Sequence, residues 1–348
     1  MADLQVASTQ YPEAGPAARA DGRLQSDQVR SSIGPFGVKS LASKAVLSVR
    51  NPEPLPCLSP CPVNPTPTET HPVPGAHPLA AEPPHPRVQA IRAFKDNYIW
   101  VIVDPSGRKA ALVDPGDGQK AALALKERAL TLTDILITHH HADHVGGLDE
   151  LKALWPEVCI HAPEHARIPQ ADRVLRGGET VRLEHIDLIV QVMAVPGHTL
   201  DHLAYFSPRL GIDPRPLLFC GDTLFAGGCG RLFEGTAEQM RASLKSLADC
   251  PPETLVYCAH EYTESNLKFA LKVEPGNTAL QGRAAQVGLA RAADETTVPS
   301  CLKTEQHTNP FLRVTEASVL AAASAWRKMP INSPGDCLAA VRAWKDAG

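Results

Sequence analysis

Thr138-His139-His140-His141-Ala142-Asp143-His144 is the stretch whose reading decides the fold. It follows the apolar run Ile135-Leu136-Ile137, which reads as a buried strand. It then passes through Val145-Gly146-Gly147-Leu148 into a helical pattern, so it occupies a strand-to-helix loop. His139 and His141 are two residues apart, and extended backbone projects both to the same side. Asp143 and His144 follow at the turn, where they can reach a second ion beside the first. Imidazole nitrogen and carboxylate oxygen suit zinc, iron or manganese.

Three distant pieces of chain complete the pattern. Pro196-Gly197-His198-Thr199 follows the apolar run from Ile186 to Val195, and Cys220-Gly221-Asp222-Thr223 follows Leu217 to Phe219. Cys258-Ala259-His260-Glu261 follows Leu255 to Tyr257. Each potential ligand comes just after a strand, so all can meet at one sheet rim. The sum, five His and two Asp, exceeds what one catalytic tetrahedral ion takes. It suits two ions with three terminal ligands each, sharing a carboxylate and a water. The expected assignment places His139, His141 and His198 on one ion and Asp143, His144 and His260 on the other. Asp222 bridges, and Asp143 and Asp222 are the expected catalytic carboxylates. His140, His161, His165, His185 and His202 lack this placement and are expected to be bystanders. Asp114, in Val113-Asp114-Pro115-Gly116, reads equally as an acceptor orienting a ligand histidine or as a turn residue.

The 348 residues carry a net charge of -4 and a pI near 6.4, which gives no pull toward nucleic acid or anionic membrane. No apolar run reaches the roughly eighteen residues of a membrane span. Nine cysteines form no CxxC pair and mostly lie in apolar runs, the usage of a reducing, cytoplasmic protein. Residues 1–87 differ from the rest, with thirteen of the 32 prolines between Asn51 and Pro86. Fixed φ and missing donors forbid helix or central strand there, so a disordered extension is expected. Arg, Ser and Ala suit a targeting arm, whereas Asp3, Glu13, Asp21 and Asp27 argue against one. An over-extended start of translation fits the same composition.

From Val88 the spacing predicts strands at Val88 to Ala93, Tyr98 to Val103 and Lys109 to Val113. A helix over Asp117 to Leu130 precedes the strand that carries the ligand cluster, and a second helix runs from near Gly147 to Trp155. Further strands are expected at Val158 to Ile160, Thr180 to Leu183, Ile186 to Val195, His202 to Phe206, Leu217 to Cys220 and Thr254 to Cys258. Glu238 to Leu247 reads as a helix. Beyond Glu261 no strand is expected, only helices at Thr263 to Val273, Thr278 to Ala293, Ser318 to Arg327 and Asp336 to Asp346. The expected organisation is an α/β core over 88–261 followed by a helical, substrate-binding domain over 262–348.

The H-x-H-x-D-H signature at His139, His141, Asp143 and His144 resembles that of the metallo-β-lactamase superfamily. The resemblance implies a four-layer αββα sandwich with a dinuclear metal site at one edge. Within the superfamily the chain is similar to glyoxalase II, the hydroxyacylglutathione hydrolases. Phe94-Lys95-Asp96-Asn97-Tyr98, Gly221 to Phe225, Gly228-Cys229-Gly230-Arg231, Phe233 to Thr236, His260 to Thr263 and Asn309 to Arg313 carry this narrower likeness. It implies hydrolysis of S-D-lactoylglutathione to D-lactate and glutathione, the second step of methylglyoxal detoxification, with two divalent ions, zinc foremost and iron or manganese also compatible; a monomer is expected. In that reading a hydroxide between the ions attacks the thioester carbonyl and a thiolate departs. The family pattern places glutathione on Arg231, Tyr262, Arg342 and Lys345. Without it, Arg342 and Lys345 read as an ordinary solvated helix face. Phe233 stands where some members have Tyr, which removes one hydrogen bond to glutathione. The rival enzyme reading is a persulfide dioxygenase with one iron, or another thioesterase of the superfamily; the former needs fewer ligands and no helical tail. A pure binding module would have lost ligands, and none is lost.

Overall fold

Buried strand pairs come first in the chain, and alternation sorts their side chains onto two faces. The computed structural model describes residues 85–348. Its first sheet sets β1 (Val88–Ala93), β2 (Asn97–Val103), β3 (Lys109–Val113), β4 (Thr131–Leu136), β5 (Cys159–Pro163) and β6 (Arg173–Leu175) side by side in chain order. β1 to β3 run antiparallel, while β3 to β6 are parallel. Parallel neighbours need crossovers, and α1 (Gly118–Glu127) supplies the one into β4. The short α2 (Ala142–Val145) and α3 (Leu148–Leu154) supply the next.

β2 is buried along its whole length. Its Tyr98, Trp100 and Ile102 face the second sheet, whereas Ile99, Val101 and Val103 join Ala121 and Leu125 of α1 and Leu148 and Leu151 of α3. The second sheet is built from β7 (Thr180–Leu183), β8 (Leu188–Ala194), β9 (Leu203–Ser207) and β10 (Leu217–Gly221). A small hairpin of β11 (Leu224–Phe225) and β12 (Gly228–Cys229) leads to α4 (Ala237–Ala248), which starts at a Thr236/Gln239 capping box. β13 (Leu255–Cys258) pairs parallel with β10. The tail contributes α5 (Thr263–Val273), α6 (Thr278–Ala292), the edge strand β14 (Ser300–Cys301), α7 (Leu302–Thr308), α8 (Ala317–Arg327) and α9 (Pro334–Asp346). The spatial order of the second sheet is β14-β13-β10-β9-β8-β7. The two sheets flanked by helices form the expected αββα sandwich. Among the described residues no helix is long and apolar enough to cross a membrane.

The tail shares the core of the sandwich. Phe311, Leu338 and Val341 belong to the same cluster as Met240 of α4 and Phe219 of β10. A buried ion pair, Arg283 of α6 with Glu305 of α7, anchors this junction. The other oxygen of Glu305 accepts from Gly227 N at 2.8 Å, and Asn309 Nδ2 donates to Phe225 O and Gly228 O. The tail therefore fixes the β11–β12 hairpin.

The structure departs from expectation at six short elements and at one end. β6, β11, β12, β14, α2 and α7 were not expected; α2 falls where a loop was expected, and β14 contradicts the reading that no strand follows Glu261. Two or three residues show no period, and pairing with a neighbour defines such strands. At the other end, His85 is buried, with its Nε2 2.8 Å from Leu210 O, and its N–H donates to the Tyr257 hydroxyl. Arg87 donates to Val103 O. Residues 85–87, placed by sequence within the disordered extension, thus pack on the core. The rest of that expectation lies outside the described residues.

Candidate metal centre and substrate pocket

β4, β8, β10 and β13 each end in a short loop, and these loops carry all seven expected ligands to one rim. His139 Nε2 lies 3.0 Å from His141 Nδ1, which is 3.1 Å from His198 Nε2. His198 Nε2 is in turn 3.4 Å from Asp222 Oδ2. Beside them, Asp143 Oδ2 lies 3.5 Å from both His144 Nε2 and His260 Nε2. Asp222 Oδ1 is 3.5 Å from His144 Nε2 and 3.3 Å from His260 Nε2. Asp222 thus offers one oxygen to each triad.

Donor atoms at about 2.0–2.1 Å around a tetrahedral ion stand about 3.3 Å from one another, and these separations match. Unprotonated ring nitrogens and carboxylate oxygens are all acceptors and cannot satisfy each other. Asp222 Oδ1 and His144 Nε2 are buried without a hydrogen-bond partner. The donor set therefore fits two divalent cations.

The outer nitrogens are held from behind. His198 Nδ1 is 2.9 Å from Arg231 O, and His260 Nδ1 is 2.9 Å from Asp96 Oδ1. His144 Nδ1 is 3.0 Å from Asp114 Oδ2, and His139 Nδ1 is 3.1 Å from Thr138 Oγ1. A partner on Nδ1 leaves the Nε2 lone pair for a metal. Asp114 also accepts from Thr138 N and Oγ1 at 2.8 and 2.7 Å, so it orients a ligand and pins its loop. Gly221 has φ 47°, and a Cβ there would stand 2.4 Å from Thr138 Oγ1. A Cβ on Gly230 would meet Asp222 O at 2.0 Å. The loops approach this closely only because both positions are glycine.

Burial, reinforced by the neighbouring imidazoles, drives His139 well below the ordinary histidine range. Burial also lowers His141 and His198. These rings are neutral and ready to ligate. Burial opposes charge on His144 as well, but Asp222 and Asp114 outweigh it and lift that ring to about 9. Burial would protonate Asp222, yet His144 and His260 hold it ionised.

The cluster opens into a cavity of about 700 Å³ lined by all four expected substrate residues, Arg231, Tyr262, Arg342 and Lys345. Arg342 is buried and donates to Cys229 O at 3.0 Å and to Asp346 at 2.9 Å. Lys345 Nζ bonds Asn266 Oδ1. Arg231 is largely exposed at the mouth, 3.7 Å from Asp346. The Tyr262 ring stacks on His260 with centroids 4.7 Å apart. Phe233 lies in T-shaped contact with His141 and His198.

Some participants were not singled out by sequence. Asn97 Nδ2 donates to Asp143 Oδ2 at 2.9 Å, and with Asp96 it supports the second triad. The Asp-Asn pair reads as a turn, and only its membership of the Phe94–Tyr98 phrase hints at more. Asn266 stands one helical turn beyond Tyr262, a spacing that could have found it. His202, an expected bystander, accepts from Asp222 N at 3.1 Å and stacks on His139; no sequence signal marks it. His140 pairs with Asp201, His161 with Asp134, and His185 with Lys109, all outside the ligand set.

Comparison with known proteins agrees with this geometry. Residues 94–260 match the family model described as metallo-beta-lactamase superfamily. Residues 261–348 match the one described as hydroxyacylglutathione hydrolase C-terminus. The chain is 48% identical over 261 residues to a hydroxyacylglutathione hydrolase of Pseudomonas aeruginosa (strain LESB58), covering 75% of this chain and 98% of that one. It is 53% identical over 235 residues to that of Dechloromonas aromatica (strain RCB), covering 68% and 84%. Among solved structures, ETHE1 from Myxococcus xanthus superposes with a TM-score of 0.50 at 25% identity, covering 75% and 99%.

If Asp96 orients His260, Asp96→Ala weakens retention of metal by about 10–100-fold. Dialysis against graded chelator, with metal analysis, reads this; unchanged retention would remove Asp96 from the account.

Proposed function

The chain belongs to the hydroxyacylglutathione hydrolases of the metallo-β-lactamase superfamily, and we propose how its residues divide the work on S-D-lactoylglutathione. It is a thioester hydrolase that uses divalent metal and yields D-lactate and glutathione. The observation that carries the site assignment is the double triad of ligands opening directly into a pocket with three cations.

His139, His141 and His198 would hold one ion and Asp143, His144 and His260 the other, with Asp222 shared. Zinc is the ion we propose. Two ions held there would supply a water-derived nucleophile at neutral pH and Lewis acidity toward the thioester carbonyl. Asp222 stays ionised between the triads, and Asp143, steered by Asn97, completes the second. Arg342, Lys345 and Arg231 attract the two carboxylates of glutathione, and the Tyr262 hydroxyl meets its peptide part. Phe233 offers an apolar ring beside His141 and His198, with no hydrogen bond for the glutathione arm. The departing thiolate has a low pKa, so no strong general acid is needed. A one-iron persulfide dioxygenase would need neither seven ligands nor the tail that shapes this pocket. The buried thiols Cys220, Cys229, Cys258 and Cys337 suit a reducing compartment such as the cytoplasm.

The assay that tests the reading follows glutathione release from S-D-lactoylglutathione by metal-loaded enzyme. Turnover that disappears on chelation and returns with added zinc is expected. Metal-loaded protein that leaves this thioester intact would overturn the substrate assignment.

Lys345 gives a pH signature. Burial, then Arg342, lowers its ammonium to about 8. The group is charged below that value and neutral above it, so attraction for a substrate carboxylate fades as pH rises through about 8. KM should climb there more than kcat falls, and Lys345→Gln should flatten the climb. A KM profile identical in the two enzymes would remove Lys345 from the binding site.

A further inference from the structure

A second group of ligand-type side chains lies lower on the first sheet, away from the reaction centre. Asp134 on β4 stands opposite Cys159 on β5 in the parallel register, and His161 follows two residues later. Alternation puts all three on the face that Leu136 turns into the inter-sheet core. Asp134 Oδ1 and His161 Nε2 are 3.1 Å apart, and Cys159 completes a trio whose ligand atoms all lie within 4.8 Å of one another. Asp134 and His161 are buried, whereas Cys159 is half-buried and gives the trio an opening to solvent.

We propose that Asp134, Cys159 and His161 form a separate mononuclear site for a borderline-soft divalent cation of the zinc class. A thiolate, an imidazole and a carboxylate together select such an ion over magnesium or calcium. The sheet register holds the three ligands on adjacent strands before any ion arrives. The separation of Asp134 and His161 already matches one edge of a tetrahedral site, about 3.3 Å. Asp172 nearby is already engaged by Lys152 and Ile160 N, so it stands outside the set. The fourth position faces solvent past Cys159. His161 pairs with Leu136, three residues of extended chain or about 10 Å before His139, so the trio shares no ligand with the reaction centre. Binding would clamp β4 to β5 with release of the thiol proton to solvent.

Cadmium tests this because the seven ligands of the reaction centre include no sulfur. Enzyme carrying its own metal ions is titrated with Cd2+, and the ultraviolet thiolate-to-cadmium charge-transfer band is recorded. One further equivalent per chain should generate the band. Cys159→Ser should abolish it, while Cys250→Ser and a Cys57→Ser/Cys61→Ser variant should retain it. Absence of the band, or its persistence in Cys159→Ser, overturns the proposal. On the unsubstituted chain, Zn2+ should slow alkylation of Cys159 by iodoacetamide about tenfold, since the bound thiolate is no longer free. Peptide mass spectrometry reads that rate, and an unchanged rate also overturns it.

Discussion

Seven ligand-type nitrogen and carboxylate groups converge at the end of four strands, and only positive charge among them, from protons on the rings or from bound cations, lets them stand this close. His141 Nδ1 lies about 3 Å from the Nε2 atoms of both His139 and His198, and the three cannot all be lone pairs facing lone pairs. A buried carboxylate with an oxygen that no donor satisfies is equally costly. Asp222 shows both conditions at once: it is buried, ionised, and presents one oxygen to each group of three. In the reading proposed above, a pair of cations resolves the conflict. Much of the neighbouring structure serves to hold these groups together against their mutual repulsion.

That holding is done by backbone and by outer hydrogen bonds. The sandwich aligns the ends of β4, β8, β10 and β13. Glycine at 221 and 230 lets the loops touch where a side chain would collide. Asp114, Asp96, Asn97 and the Arg231 carbonyl fix the rings and carboxylates from behind. The helical tail acts at the same site from the other side. Glu305 and Asn309 pin the β11–β12 hairpin, and α9 delivers Arg342 and Lys345 to the pocket wall.

The convergence of these seven residues was legible in the sequence because each group of them follows an apolar strand, and strand ends are where loop chemistry collects. The long strands and helices were legible because β2, β8 and α1 carry unbroken runs, alternation or helical spacing. β14, β11 and β12 were not, since two residues hold no period and only a partner strand defines them. Arg342 and Lys345 illustrate a second limit. Three residues apart on a helix, they look like a solvated face until α9 is seen to turn them into the cavity. His202 illustrates a third, because its support of Asp222 N is a purely three-dimensional fact. Where His85 is buried and Arg87 packs against the core, proline-rich composition upstream concealed a short packed segment.

The central claim is that Asp222 is shared between two adjacent ions. Anomalous diffraction from crystals of the metal-loaded enzyme, collected at the absorption edge of the bound metal, tests it most directly. The account predicts two peaks per chain about 3.5–4 Å apart, one ringed by His139, His141 and His198 and the other by Asp143, His144 and His260, with Asp222 reaching both through different oxygens. A single peak in fully loaded, active enzyme, or two ions with Asp222 bound to only one, would contradict it.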